Sequence, residues 1–381
     1  MSGPLSGIRV LDLTSVVSGP LATMILADQG ADVIKIEAPT GDFSRRVATR
    51  RAGYSASFLN NNRNKRSVVL DLKSDEGRDA LLKMVAQSDV FVQNFRPNVA
   101  ERLGFSEDAL MKLNPRLIYM SIAGFGFEGP LADRPTYDPL IQAISSLASV
   151  QAGSDEERPR LVRTILPDKL TGIQASQAIT AALFSRERTG KGQSIRLSML
   201  DTIVSFLWGS DMGGHTFVGD ENPVEEAQSF IDLIYEVTDG YVSVAIMQDK
   251  HWQAFASAVG KPELLTDPRF TTPELRDVNR DARLQATQES IRGFSSNELI
   301  KLLDEAGVPC APVLTRTQLR QDPQIAANET LIQYEHPEAG PLRQAAHPAR
   351  FKQTPTDVPT GAPALGADTK NVLDEFKIEP W

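Results

Sequence analysis

The composition of this 381-residue chain is that of a folded protein, because 41% of its residues are hydrophobic and 23% are charged. Its formal net charge of -9 argues against a nucleic-acid-binding protein, since such proteins gain much of their affinity by neutralising phosphates. The first residues lack the basic and apolar segments of a secretory signal, and no apolar run is long enough to span a bilayer, so we expect a cytoplasmic protein that binds no membrane.

Short β-branched runs alternate with helical stretches through the first half of the chain, which is typical of a parallel sheet built from βαβ units. The predicted strands are 8–13, 32–36, 67–72, 89–92, 117–121 and 194–198. We predict helices over 21–27, after Ser74, and from Asp168 to Arg188, where Gly190 ends the helix. The sequence therefore predicts a Rossmann-like α/β domain whose first segment is 1–205.

The pattern changes in the second half, and the length of the chain exceeds what one hydrophobic core usually fills. Residues 206–224 are rich in glycine and acidic side chains, which indicates a linker. Two alternating runs around Asp239 and Gly240 then predict a β-hairpin, and helical stretches follow at 249–259, 273–293 and 296–306. We expect a smaller α+β domain over 225–320. The remaining segment, 321–381, ends in a helical patch at 368–376. Its pattern does not indicate which of the two domains it belongs to.

Several patterns that often mark a site do not predict one here. The glycines Gly124, Gly126 and Gly129 match the dinucleotide fingerprint, but Pro130 and a loop composition follow them where that fingerprint needs a helix. The four histidines are isolated, and Cys310 is the single cysteine, so we predict no metal site. No serine lies in a nucleophile-elbow motif, which leaves serine-hydrolase chemistry unsupported.

A set of cations follows or flanks the predicted strands: Lys65, Arg66, Lys73, Arg96, Arg102 and Arg134. We expect all of them to converge at the carboxyl ends of the strands, where open α/β sheets bind ligands. A carboxylate, Asp168, stands at the start of the long predicted helix. Taken alone, Asp168 is interpreted as a helix N-cap, because aspartate is preferred there.

Whole segments of the chain, taken together, closely resemble the class III coenzyme A transferases. The resemblance covers the chain nearly end to end and is carried by residues 7–14, 19–20, 26–39, 41–42, 64–73, 94–97, 102–104, 136–139, 167–168, 188–193, 307–312 and 363–366. No single motif supports the resemblance as strongly as these segments do together. A chance agreement over so many separate segments is implausible.

The resemblance implies an enzyme that moves coenzyme A (CoA) from an acyl-CoA donor to a carboxylic acid acceptor, with Asp168 as the covalent nucleophile. It implies a CoA site, without a metal, for which we predict nine residues: Leu70, Asp71, Leu72, Lys73, Asn94, Phe95, Arg96, Arg102 and Arg134. Tyr137 and Asp138 are expected to close over the thioester. The resemblance also implies a homodimer of interlocked chains in which the C-terminal segment returns to the large domain.

Two departures from the formyl-CoA transferase subgroup argue against oxalate as the acceptor: residue 17 is Val17 rather than glutamine, and no run of glycines lies near the predicted hairpin. Two other functions stay open. One is an α-methylacyl-CoA racemase of the same superfamily, and the other is an acyl-CoA-binding protein without turnover. Such racemases have a histidine where this chain has Tyr137, and tyrosine, with a pKa of about 10, is a poor base at pH 7. An aspartate with an ordinary pKa of about 3.9 is already ionised at pH 7, so Asp168 needs no base.

Overall fold

The computed structural model describes residues 2–153, 155–219, 233–357 and 359–379, and it divides the chain into two compact units. The larger unit comprises Met1–Phe230 and Glu329–Trp381, and the smaller unit is Ile231–Asn328. The larger unit is thus made of two separate stretches of the chain, and the smaller unit is inserted between them.

The first stretch of the larger unit alternates strands and helices. Its elements are β1 (Arg9–Leu13), α1 (Ser18–Asp28), β2 (Asp32–Glu37), β3 (Arg50–Arg51), β4 (Tyr54–Ser55), α2 (Ala56–Asn62), β5 (Lys65–Val69), α3 (Asp75–Val85), β6 (Val90–Gln93), α4 (Val99–Arg102), α5 (Glu107–Leu113), β7 (Ile118–Ala123), α6 (Asp138–Ile144), α7 (Leu147–Ala152), α8 (Leu166–Thr189), β8 (Gln193–Ser198) and α9 (Met199–Trp208). Ser74 caps α3 and Gly190 ends α8, both as predicted.

Six of these strands form one parallel sheet in the order β5-β2-β1-β6-β7-β8. From β1 the chain moves outward to β2 and β5, and it then returns to the other side of β1 with β6. The carboxyl ends of β1 and β6 therefore flank the point where the strand order reverses, which is the usual place for a ligand in an open α/β sheet.

The central strands are mostly apolar because helices cover both faces of the sheet, although β1 and β2 also bury Asp12 and Lys35. On one face, Leu11, Ile34 and Phe91 pack in a core that also contains side chains of α3 and α5. On the opposite face, Val10 and Val33 pack against side chains of α1 and α8. This second core fixes α8 beside α1.

Two sequence predictions need correction in this unit. The third strand of the sheet, β5, begins at Lys65 and ends at Val69, so the predicted strand 67–72 lies too far along the chain. The predicted linker 206–224 overlaps α9, which continues to Trp208. The last part of that linker and the predicted start of the small domain, 220–232, lie outside the described residues.

The smaller unit is an antiparallel sheet covered by helices. Its elements are β9 (Ile234–Val237), β10 (Gly240–Val244), α10 (Asp249–Ala258), α11 (Pro273–Val278), α12 (Arg280–Ile291), α13 (Ser296–Glu305), β11 (Cys310–Pro312) and α14 (Pro323–Ala327). β10 pairs antiparallel with β9 and with β11, so the predicted hairpin is confirmed. The helix predicted over 273–293 is two helices that meet at Asn279. The core of this unit contains Trp252, Phe255 and Phe270.

The second stretch of the larger unit contains β12 (Leu331–His336), β13 (Gly340–Ala345) and α15 (Thr369–Glu375). This stretch contacts β5, the edge strand of the six-stranded sheet, because the Asp368 carboxylate accepts a hydrogen bond from the Ser67 backbone N–H at 2.8 Å. Glu375 forms ion pairs with Arg9 and Arg66. Within the described residues, no helix has both the length and the apolarity that a membrane-spanning segment needs.

Candidate active site

Two neighbouring cavities lie at the carboxyl ends of the sheet strands in the larger unit, with volumes of about 730 and 220 Å³. Ser15, just after β1, and Phe95, just after β6, line both cavities. The two cavities therefore adjoin at the point where the strand order of the sheet reverses.

The larger cavity has mostly apolar walls, with three cations and three carboxylates. Two of the carboxylates, Glu37 and Asp42, are paired with Arg45 and Lys35. Six of the nine predicted CoA residues line it: Leu70, Asp71, Leu72, Lys73, Phe95 and Arg102. Arg46, which sequence reasoning missed, lines it as well. Among the residues that the structure describes, neither Lys73 nor Arg102 forms an ion pair with a carboxylate. A long ligand with apolar segments and phosphates matches such walls, because the cations would meet the phosphates.

The smaller cavity contains the predicted nucleophile. Asp168 lies on its wall together with Asn94, Arg96, Arg134 and Tyr137. All nine predicted CoA residues thus line one cavity or the other.

Asp168 is the third residue of α8, which begins at Leu166 with Ile165 at the N-cap position. The interpretation of Asp168 as the N-cap is therefore wrong. Ser18, the first residue of α1, lines the same cavity as Asp168. Burial and, to a lesser extent, repulsion from Asp138 raise the pKa of Asp168 to about 6, against the opposing effect of the nearby N–H and hydroxyl of Ser18. The ordinary pKa that we expected for Asp168 is also wrong, but the group is still mostly ionised at pH 7.

Asp138 and Tyr137 have different surroundings. Asp138 is buried, and its carboxylate accepts hydrogen bonds from Gln142 Nε2 at 2.6 Å and from the Asp168 backbone N–H at 3.2 Å. Tyr137 is 67% exposed and lines the smaller cavity. Tyr137 is therefore placed to contact a ligand, whereas the carboxylate of Asp138 stabilises the first turn of α8 through its hydrogen bond with the Asp168 N–H.

Two of the predicted cations do not join the cavities. Lys65 and Arg66 begin β5, so they lie at the amino end of a strand rather than at its carboxyl end. Lys65 is buried and donates hydrogen bonds to Asp12 Oδ2 at 2.9 Å and to the Pro20 carbonyl oxygen at 2.9 Å. Arg66 pairs with Asp32 and Glu375. The predicted convergence is thus wrong for these two side chains, because their charges serve ion pairs within the fold.

Sequence reasoning also did not predict that the turn between β1 and α1 forms part of the site. Thr14 and Ser15 of this turn line the cavities, and Ser18, which follows it, lowers the pKa of Asp168. The available signal was Gly19: a Cβ atom there would lie 2.3 Å from the Thr14 Cβ, so only glycine lets the turn close so tightly. In the described part of the chain, no group of three or more His, Cys, Asp or Glu side chains is arranged to hold a metal ion.

Comparisons with known proteins agree on one family. A family model described as CoA-transferase family III matches residues 5–369. The chain is 35% identical over 383 residues to an acetyl-CoA:oxalate CoA-transferase of Acetobacter aceti, covering 98% of this chain and 96% of that protein. It is 34% identical over 391 residues to a succinyl-CoA:mesaconate CoA-transferase of Haloarcula marismortui, covering 99% and 97%. The crystal structure of a CAIB/BAIF family protein from Brucella suis matches with a TM-score of 0.86 and 30% identity, over 99% of this chain and 100% of that one.

Proposed function

We propose that Asp168 is the covalent nucleophile of this chain, which belongs to CoA-transferase family III and moves coenzyme A from an acyl-CoA to a carboxylic acid. The observation that carries the proposal is the place of Asp168 on the wall of the smaller cavity, directly beside a larger cavity with apolar walls and cations. A pKa of about 6 supports the role, because a more basic carboxylate is a stronger nucleophile and this one is still mostly ionised at pH 7.

The two cavities suggest how CoA is bound. The nucleotide end would occupy the larger cavity, where Arg46, Lys73 and Arg102 offer positive charge to its phosphates. The pantetheine arm would pass Ser15 and Phe95, which line both cavities. The thioester would then reach the smaller cavity and Asp168.

The proposed reaction has four covalent steps that exchange acyl groups on Asp168. A carboxylate oxygen of Asp168 attacks the acyl-CoA carbonyl carbon, the C–S bond breaks, and a mixed anhydride and the CoA thiolate result. The thiolate attacks the Asp168 carbonyl carbon and releases the donor acid, which leaves an aspartyl-CoA thioester. The acceptor carboxylate attacks that thioester and frees the thiolate, which then attacks the acceptor acyl carbon and restores Asp168. No step requires a net proton transfer, so the reaction needs no general base.

The acceptor acid differs among relatives of similar identity, since one is named for oxalate and another for mesaconate. Val17, on which part of the argument against oxalate rested, is buried and does not line the smaller cavity. We therefore propose that the acceptor is a carboxylic acid, since the chemistry of Asp168 requires a carboxylate.

The test of this proposal separates chemistry from binding. We expect Asp168→Asn to abolish CoA transfer between acyl-CoA and free acids while CoA affinity is retained, because the amide keeps the shape of the side chain but not its negative charge. The matched control is Asp201→Asn, since Asp201 is an exposed carboxylate in the first turn of α9 and should be dispensable. A near-normal transfer rate in Asp168→Asn would refute the proposal. In deuterium oxide, 2-methylacyl-CoA should keep its α-hydrogen, whereas rapid deuterium uptake would favour the racemase.

A further inference from the structure

The turn between β1 and α1, residues 14–17, has a backbone conformation that its sequence disfavours. Val16 has a φ of 72°, in the left-handed region where a β-branched side chain is strained. Such a conformation persists where the surrounding structure over-determines it, and strained residues of this kind cluster at functional sites. Val16 lines the smaller cavity beside Asp168.

Polar side chains from three other segments hold this turn. The Thr14 carbonyl oxygen accepts a hydrogen bond from Lys35 Nζ at 2.8 Å. The Asn94 amide accepts from the Ser15 N–H and donates to the Ser15 carbonyl oxygen, both at 2.9 Å. The Val16 N–H donates to Asp42 Oδ1 at 3.3 Å. The conformation of the turn is therefore set by contacts that are distant in sequence.

Two of these contacts come from a buried four-charge cluster, formed by Asp12, Lys35, Asp42 and Lys65. Lys35 and Asp12 are fully buried, and Lys35 Nζ lies 3.0 Å from Asp42 Oδ2. Lys65 Nζ lies 2.9 Å from Asp12 Oδ2, and Asp12 Oδ1 also accepts a hydrogen bond from the Thr14 N–H at 2.9 Å. The two positive and two negative charges balance. Buried ion pairs are weak sources of stability, so their placement around one turn indicates another use.

A shift of this turn would move a group that contacts the nucleophile. Ser18 follows the turn directly and lines the smaller cavity together with Asp168, where its N–H and hydroxyl dipoles lower the pKa of the Asp168 carboxyl. The helix of the nucleophile packs closely there, because a Cβ atom on Gly172 would lie 2.8 Å from the Ser18 carbonyl oxygen. The position of Ser18 relative to Asp168 thus depends on the turn.

We propose that the buried four-charge cluster is a positioning device for the transfer reaction, in which Lys35 and Asp42 hold the strained turn so that Ser18 meets the Asp168 carboxylate. The proposal rests on the role of Asp168 given above. Lys35 and Asp42 act as positioning residues through the turn and take no part in the covalent steps.

The test replaces the charged pair with a neutral pair of similar shape, Lys35→Met with Asp42→Asn. The matched control is Arg63→Met with Asp28→Asn, which removes another buried ion pair, 2.6 Å long, away from the turn. For each folded variant, the rate of enzyme acylation is measured in a single turnover at saturating acyl-CoA, from pH 4.5 to about 8.5. We expect the Lys35→Met/Asp42→Asn variant to acylate about 10- to 100-fold more slowly than the wild type, because a reacting group misplaced by about 1 Å has an effect of this size.

A second readout separates positioning from lost stability. The acid limb of the pH profile should move to higher pH in the Lys35→Met/Asp42→Asn variant, because the N–H and hydroxyl of Ser18 lower the pKa of Asp168 and their influence would be weakened. The control pair should keep both the rate and the acid limb. If the first pair does not fold, Asp42→Ala alone decides, since it removes the contact to the Val16 N–H and should shift the acid limb in the same direction.

A wild-type rate and acid limb in the folded variant pair, or in Asp42→Ala when that variant decides, would overturn the proposal. Labelling of the wild-type protein with acyl-CoA distinguishes the positioning role of the cluster from the nucleophilic role of Asp168. If acyl-CoA labels Asp168 in the wild type and the variants behave normally, only the positioning device is refuted. If Asp168 is not labelled in the wild type, the proposed nucleophile itself is refuted.

Discussion

The carboxylate of Asp168 is held between opposing influences on its pKa. Burial favours the neutral acid, the neighbouring Asp138 adds like-charge repulsion, and the nearby N–H and hydroxyl of Ser18 favour the anion. The result is a pKa of about 6, so the transfer rate should fall as the pH drops through that value and Asp168 takes up a proton. The sequence alone predicted a site for Asp168 only through a family resemblance, because the groups that set its pKa lie 30 and 150 positions away in the chain.

The same raised pKa has a consequence for stability. A carboxyl whose pKa is higher in the folded than in the unfolded state stabilises the folded state. This contribution is complete when the pH is below the unfolded-state pKa of 3.8, and it is lost as the pH rises through about 6. Asp168→Asn cannot ionise, so we expect the variant to be more stable than the wild type by about 1–2 kcal/mol at pH 8, a figure already reduced for solvent screening. Urea unfolding at pH 8 and below pH 3.8 checks this. An equal difference at both pH values would contradict the assigned shift.

Arg102 gives a prediction for CoA binding. We expect Arg102→Ala to weaken CoA about 5- to 10-fold, because a phosphate at about 4 Å gains roughly 4 kcal/mol in a surface-like dielectric before solvation offsets most of it. Calorimetric titration measures the affinity. Arg320→Ala, at an exposed position in the smaller unit, is the matched control and should bind CoA normally. Unchanged affinity in Arg102→Ala would remove Arg102 from the CoA site.

At the scale of the elements, sequence reasoning succeeded where the signal is local. The apolar runs of β1 and β2 and the terminal Gly190 of α8 each follow from neighbouring residues. It failed for β5, because we expected Lys65 and Arg66 at the carboxyl ends of strands, whereas they begin a strand and their charges are paired. It also joined α11 to α12, although Asn279 ends one helix and begins the next.

The turn between β1 and α1 was beyond local reasoning for a different physical reason. The conformation of Val16 depends on Lys35, Asp42 and Asn94, which are separated from the turn by 21 to 79 positions. Neither residue propensity nor hydrophobic periodicity reports such contacts. A positive φ at a valine is in fact the opposite of what propensity predicts.

The close contact between α8 and α1 can be tested with a single methyl group. Gly172→Ala would place a Cβ atom 2.8 Å from the Ser18 carbonyl oxygen, so the two helices must separate. We expect an overpacking cost of about 1–3 kcal/mol, against a gain of about 1 kcal/mol in helix propensity, together with a lower acylation rate. Thermal unfolding and single-turnover kinetics check both.

The matched control is Gly293→Ala in the smaller unit, where a Cβ atom would have nothing within 4 Å. We expect the control to have normal kinetics and unchanged or slightly higher stability. Normal kinetics in Gly172→Ala would show that the distance between α8 and α1 does not matter to the nucleophile.

At the scale of the whole molecule, large apolar side chains stay exposed on two long helices of the larger unit. Ile173 and Phe184 on α8 are 53% and 67% exposed, and Phe206 and Trp208 on α9 are 51% and 46% exposed. Exposed apolar surface of this kind marks an interaction site. We therefore predict a homodimer whose subunits do not separate without unfolding, as the resemblance to interlocked dimers implies. Sedimentation equilibrium across protein concentrations and urea concentrations checks this, and a stable folded monomer would contradict it.

The most direct test of the account is to trap the intermediate on Asp168. The wild-type protein is incubated with an acyl-CoA, treated with hydroxylamine or borohydride, and digested for peptide mass spectrometry. Anhydrides and thioesters react with both reagents, so we expect a mass change on the peptide that contains Asp168 and none on that peptide in Asp168→Asn. A label on another residue, or full transfer activity with no label on Asp168, would contradict the account.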